Sequence, residues 1–153
     1  MNFTKRSIRE EMMGEPEEYL VLKQLTNALD DLKIDYAIGG SIASSVYGKV
    51  RFTQDADITV APFGDKAEQL YSALNENFYI SKDAMFGAIS NRGCFNVIHL
   101  KSAFKIDIFV QKDYDFHRQL FLRRKKVKLD ESINYLFDIV SAEDIILLKL
   151  QWY

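Results

Sequence analysis

Apolar positions recur along this chain with two periods, and the switches between those periods mark its elements. From Pro16-Glu17-Glu18 onward, Val21, Leu25, Ala28, Leu29 and Leu32 fall on one face at helical spacing. Proline in the first turn and acids at the positive end of the helix dipole favour a start there. Asp35 to Ile38 reads as a short strand running into the break Gly39-Gly40, followed by a short helix over Ser41 to Tyr47 with Gly48 as its stop. Alternation of period two then predicts an acidic strand over 56–61, ended by Pro62. A helix over Asp65 to Asn75 turns Ala67, Leu70, Tyr71 and Leu74 inward. Phe78 to Ile80 predicts a short strand and Lys82 to Ile89 a further helix. Cys94 to Leu100 and Lys105 to Val110 predict two strands joined by the polar turn Lys101-Ser102-Ala103. Phe121 to Leu129 and Ile133 to Val140 predict a peripheral hairpin around Asp130-Glu131. Ser141 then caps a last helix whose apolar run is Ile145 to Leu150. That helix has barely opened where the sequence stops at Tyr153, so a shortened C-terminal helical portion is expected.

Composition narrows the class without naming a chemistry. The 153 residues suffice for one domain with a real core, with residues 1–15 expected to be flexible. No apolar run approaches a membrane span, and Met1 to Glu18 lacks the apolar core of a signal peptide. The single cysteine, Cys94, cannot form an internal disulfide, so a reducing cytoplasm is the expected setting. Beside Phe95 in a predicted strand, Cys94 is expected to be buried as a small apolar side chain.

The net charge of −2 hides an uneven distribution. Glu10, Glu11, Glu15, Glu17 and Glu18 open the chain, whereas Arg118, Arg123, Arg124, Lys125, Lys126 and Lys128 crowd together later. Two readings of that basic stretch stand side by side. It is a solvated edge strand protected by charge from edge pairing, or a surface that attracts a polyanion such as RNA.

The candidate chemistry lies elsewhere. Gly39-Gly40-Ser41 is a small-residue turn at a helix start, suited to close backbone approach to phosphate. By itself it is equally a tight turn with a capping serine. Asp55 and Asp57 follow in Arg51-Phe52-Thr53-Gln54-Asp55-Ala56-Asp57, and a period of two puts both carboxylates on one face of the strand. Like charges so placed weaken an ordinary sheet, and a hard divalent cation removes the repulsion. Asp107 interrupts the apolar run Lys105-Ile106-Asp107-Ile108-Phe109-Val110, so its carboxylate points away from its isoleucine neighbours. Arg51 can bind phosphate through its planar guanidinium, or pair with a site aspartate and order the loop. His99 reads as a structural residue, and His117 has no partner readable from sequence. Tyr36, Tyr47, Phe52, Phe86 and Phe95 include candidates for stacking on a base.

In this order, Gly39, Gly40 and Ser41, then Asp55 and Asp57, then Asp107 resemble the motif of the nucleotidyltransferase superfamily, the group that includes DNA polymerase beta. The lead-in Gly48-x-x-Arg51-x-Thr53 is similar to the subgroup of abortive-infection toxins and of lincosamide or aminoglycoside nucleotidyltransferases. The resemblance covers roughly residues 20 to 150. It implies an α/β (α+β) fold with a mixed β-sheet and helices packed against it. It also implies transfer of a nucleoside monophosphate from a nucleoside triphosphate such as ATP to a hydroxyl. Asp55, Asp57 and Asp107 would hold two Mg²⁺ ions, Mn²⁺ being an alternative, while Gly39, Gly40, Ser41 and Arg51 would bind the nucleotide. The acceptor implied for a toxin is RNA or protein, with a cognate antitoxin as partner. The alternatives are a small-molecule acceptor, or a non-catalytic module that binds triphosphate or serves in assembly. No membrane role is implied.

Overall fold

The structure, a computed structural model, describes residues 17–48 and 55–151. The opening segment and Arg51, Phe52 and Thr53 lie outside those residues. In chain order the elements are α1 (Glu17–Asp31), β1 (Tyr36–Gly39), α2 (Gly40–Tyr47), β2 (Asp55–Val60), a 3-10 turn (Gly64–Lys66) and α3 (Ala67–Leu74). They continue with β3 (Phe78–Ile80), α4 (Lys82–Asn91), β4 (Cys94–His99), β5 (Lys105–Val110), α5 (Asp115–Arg123), β6 (Lys125–Val127), β7 (Phe137–Ile139) and α6 (Ala142–Gln151).

The seven strands form one mixed sheet in the order β3-β4-β5-β2-β1-β7-β6. β2 runs parallel to β5, and β1 parallel to β7; the remaining neighbours are antiparallel. The α/β architecture read from the sequence is therefore the observed one.

Period-two alternation sorts the two faces. In β2 and β5, Ala56, Ile58, Val60, Ile106, Ile108 and Val110 are buried, and the residues between them are not. These apolar positions pack with Val21, Leu22, Leu25 and Leu29 of α1, Leu70 of α3 and Met85 of α4 in the main core. Burying a side chain of this size contributes about 1.5–3 kcal/mol. A smaller cluster of Ala37, Ala43, Val140, Leu120, Phe121 and Ile145 joins β1 to α2, α5 and α6.

Two expectations need correction. Residues 121–129 do not open as a strand, because Asp115–Arg123 is a helix that buries Leu120 and Phe121. Only Lys125–Val127 pairs with Phe137–Ile139 as a hairpin. Nor is β7 peripheral: it pairs with β1 through Ile38↔Ile139, and all three of its residues are buried. Among the described residues no helix is long and apolar enough to cross a membrane.

Candidate active site

Strand pairing fixes where the acids meet. Asp57 of β2 lies directly across from Asp107 of β5 in the parallel ladder. Neighbouring strands are about 4.8 Å apart, so the two side chains share one face as immediate neighbours. On the other side of Asp57 the register partner is Gly39, and beyond Asp107 it is Asn96 of β4. The row Gly39–Asp57–Asp107–Asn96 thus crosses four strands. Asp55 lies two residues back on the same face, opposite Lys105. Among the described residues, no three His, Cys, Asp or Glu side chains are already gathered about one ion position.

Electrostatics at this row are unbalanced. Burial first, and then the Asp107 and Asp55 charges, raise the Asp57 carboxyl above the ordinary carboxylate range; Lys105 opposes them. Lys105 approaches Asp107 only to 3.8 Å, at the limit of an ion pair. Two adjacent carboxylates with so little compensation fit an oxygen-liganded divalent cation, which would supply positive charge.

The glycine turn is built around the same acid. Gly40 holds φ +59, in the left-handed region. A Cβ placed there would sit 2.9 Å from Asp57 Cγ and closer still to Oδ2. Any other residue would displace the carboxylate as well as strain the backbone. No side chain caps the N-terminus of α2, and a helix start of this kind favours an anion. Ser41 lies in its first turn, and the Ser45 hydroxyl donates to Ser41 O at 2.8 Å.

Around this row opens a cleft of about 810 Å³, lined by Gly39, Gly40, Asp57 and Asp107 and, on its far side, by Arg92, Lys112, Tyr114 and His117. Arg92 follows α4 at φ +51. Outside glycine, that conformation costs about 1–2 kcal/mol. It presents a guanidinium that donates to Gln111 O at 3.3 Å. The His117 Nδ1 is buried with no hydrogen-bond partner among the described residues, and burial, then Lys112, lowers the ring's pKa.

Asp55, Asp57, Asp107, Gly39, Gly40 and Ser41 are thus brought to one region, while Arg51 lies outside the described residues. Cys94 is exposed at the cleft, contrary to expectation, because Phe95 and Val97 take the inward positions of β4. His99 is structural, with Nδ1 bonded to the Ser102 hydroxyl at 2.8 Å. Tyr36 and Phe95 are core residues; the exposed ring at the cleft is Tyr114, which the sequence does not single out. Arg92 and Lys112 were equally invisible, since strand pairing alone brings them to the cleft.

The basic stretch has a different fate. Arg118 pairs with Asp113 and Asp115, Arg123 with Asp144, Arg124 with Asp35 and Asp138, and Lys126 with Asp138. Four of the six cations are thereby offset within the molecule.

No family model matches the sequence, and no curated protein matches it significantly. Solved structures do share its fold. A protein of Thermotoga maritima, provisionally assigned as a nucleotidyltransferase, aligns over 92% of this chain and 87% of its own at 16% identity, with a TM-score of 0.59. An antigenic nucleotidyltransferase-like protein from Paracoccidioides brasiliensis aligns over 90% and 66% at 20% identity, TM-score 0.59. The antibiotic-resistance factor ANT(2'')-Ia aligns over 92% and 73% at 14% identity, TM-score 0.56.

Proposed function

We propose that this chain, which has the nucleotidyltransferase fold, transfers a nucleoside monophosphate from a nucleoside triphosphate to a hydroxyl acceptor. One observation carries the reading: Asp57 and Asp107 are register partners, and Gly40 lacks a Cβ where one would overlap Asp57. A tight turn needs glycine for its own φ, but it does not need two acids side by side with one lysine at 3.8 Å to offset them.

Asp57 and Asp107, with Asp55 on the same face, are the residues that would hold Mg²⁺ or Mn²⁺. A cation held there would neutralise phosphate charge and make the attacking hydroxyl more acidic. The remaining work falls to the chain. Gly40 lets the backbone approach the triphosphate, and the amides at the start of α2 face its negative charge. In the transfer, the acceptor oxygen bonds to the α-phosphorus as the bridging bond to the β-phosphate breaks. That bond's electron pair leaves with pyrophosphate, and the hydroxyl proton passes to the Asp107 carboxylate.

The acceptor is RNA or protein in the toxin-like version of this reading. A small molecule is the acceptor in the second version, which the shared fold of an antibiotic-resistance factor favours. Incubation with α-labelled triphosphates, Mg²⁺ and either total RNA or a drug panel tests the proposal. Label on an acceptor is expected from the native chain, and a loss of at least roughly 100-fold in Gly40→Ala. Absence of label in every arm, or undiminished labelling by Gly40→Ala, contradicts it.

A further inference from the structure

The row of acids has two flanks, and they differ in chemistry. On the β1 flank lie Gly39, Gly40 and the start of α2. On the β4–β5 flank lie Arg92, which immediately precedes Gly93 and β4, and Lys112, just after β5. Gly39, Asp57 and Asp107 share one register row, whereas Arg92 stands at Gln111, roughly 13 Å further along β5, so the second flank lies beyond the acids toward the C-terminal end of that strand.

The second flank is held in place. Gly93 O accepts from Val110 N at 2.9 Å, and Arg92 donates to Gln111 O, so the segment before β4 is tied to the end of β5. Neither Arg92 nor Lys112 has an acid partner among the described residues, whereas four of the six cations of the basic stretch do. Tyr114 is largely exposed at the same cleft, and its ring meets His117 edge to face at 5.9 Å. The His117 Nδ1 is buried with no hydrogen-bond partner among the described residues.

Resting on the transfer reaction above, we propose that Arg92, Lys112, Tyr114 and His117 form the acceptor subsite, and that the acceptor carries a phosphate ester beside its hydroxyl. The guanidinium and ammonium groups take the phosphate. The Tyr114 ring offers a face to a base, with the His117 ring packed edge to face against it. The reacting hydroxyl then faces Asp107, with the triphosphate arriving from the Gly40 flank. A polycationic aminoglycoside is repelled by the same pair of cations. Both the end of an oligoribonucleotide and a free nucleoside monophosphate carry the required chemistry.

The test separates acceptor binding from transfer. The full chain is titrated, without triphosphate, with a fluorescent oligoribonucleotide, with a nucleoside 5′-monophosphate, and with the matching uncharged nucleoside. Native protein is expected to bind at least one phosphorylated probe more tightly than the nucleoside, and Arg92→Gln/Lys112→Gln to bind it about tenfold more weakly. Lys101→Gln, in the distant turn after β4, is expected to bind as the native chain does. The oligonucleotide and monophosphate arms identify the source of the phosphate. Equal binding by the double variant and native chain, preference for the nucleoside, or failure of both phosphorylated probes to bind overturns the subsite. Triphosphate binding is measured in parallel: its loss in Asp57→Asn with the subsite intact supports both proposals. Its persistence in that variant instead removes the reaction while leaving the binding result to be judged separately.

Discussion

Two groups of cations in this molecule look alike in sequence and differ in place. Those between Arg118 and Lys128 crowd together along the chain, yet Arg118, Arg123, Arg124 and Lys126 each sit against an acid of the same protein. Arg123 is the clearest case. Its Nε and Nη2 donate to the two oxygens of Asp144 at 2.9 and 2.6 Å, and Asp144 is wholly buried. The Ser141 hydroxyl completes that carboxylate's partners at 3.0 Å and caps the start of α6. Arg92 and Lys112 are 20 residues apart in sequence, but stand at one cleft without an acid partner among the described residues. The contrast teaches that clustering along a chain is a poor guide to function. Charge with little compensation in space is a better one, and by that measure the cleft, with Asp57 and Asp107 in its lining, is the candidate site.

The sharpest way to break the comparison is to neutralise the cleft floor. Asp57→Asn or Asp107→Asn is expected to lower transfer by at least roughly 100-fold in a labelled-triphosphate assay, while the fold holds in a thermal melt. Substitution in the basic stretch should do the reverse. Arg123→Ala leaves a buried carboxylate without its partner, so the melting temperature should drop by several degrees. Triphosphate affinity measured below that transition should change little.

A pH series sharpens the contrast further. The folded Asp57 carboxyl titrates above its unfolded value, so its stabilising contribution is complete below the ordinary aspartate pKa of about 3.9 and is lost as pH rises through the raised value. Melts in chelator should show this decline, and Asp57→Asn should lessen it. Mg²⁺ should raise the melting temperature more as pH increases, because the ionised carboxylate binds it. The smallest effect belongs to Lys126→Gln. Its pair with Asp138 leaves the lysine largely exposed, so the stability change should stay within about 1 kcal/mol.

Much of the candidate site's placement was legible because local periodicity determines strand faces. Ile106 and Ile108 had to point inward, which turned Asp107 outward. The same logic applied to Phe95 and Val97 would have placed Cys94 outward, but the general tendency of cysteine to be buried argued the other way. Gly40 was readable as a turn. Its second reason, the Asp57 carboxylate, depends on the antiparallel pairing of β1 with β2 and has no local signature. Helix α5 was missed because Tyr114 provides no side-chain cap at its start and its adjacent Phe121 and Leu122 read as the opening of a strand. The far flank was hidden for a topological reason. Arg92 and Lys112 line one cleft only because β4 and β5 pair, with Cys94 opposite Phe109.

Calorimetry of the native chain and Asp57→Asn with each nucleoside triphosphate, with and without Mg²⁺, tests the central claim most directly. Saturable binding of a triphosphate that requires Mg²⁺, and that Asp57→Asn removes, is the expected result. Binding indifferent to both the cation and the substitution, or no binding at all, would contradict it.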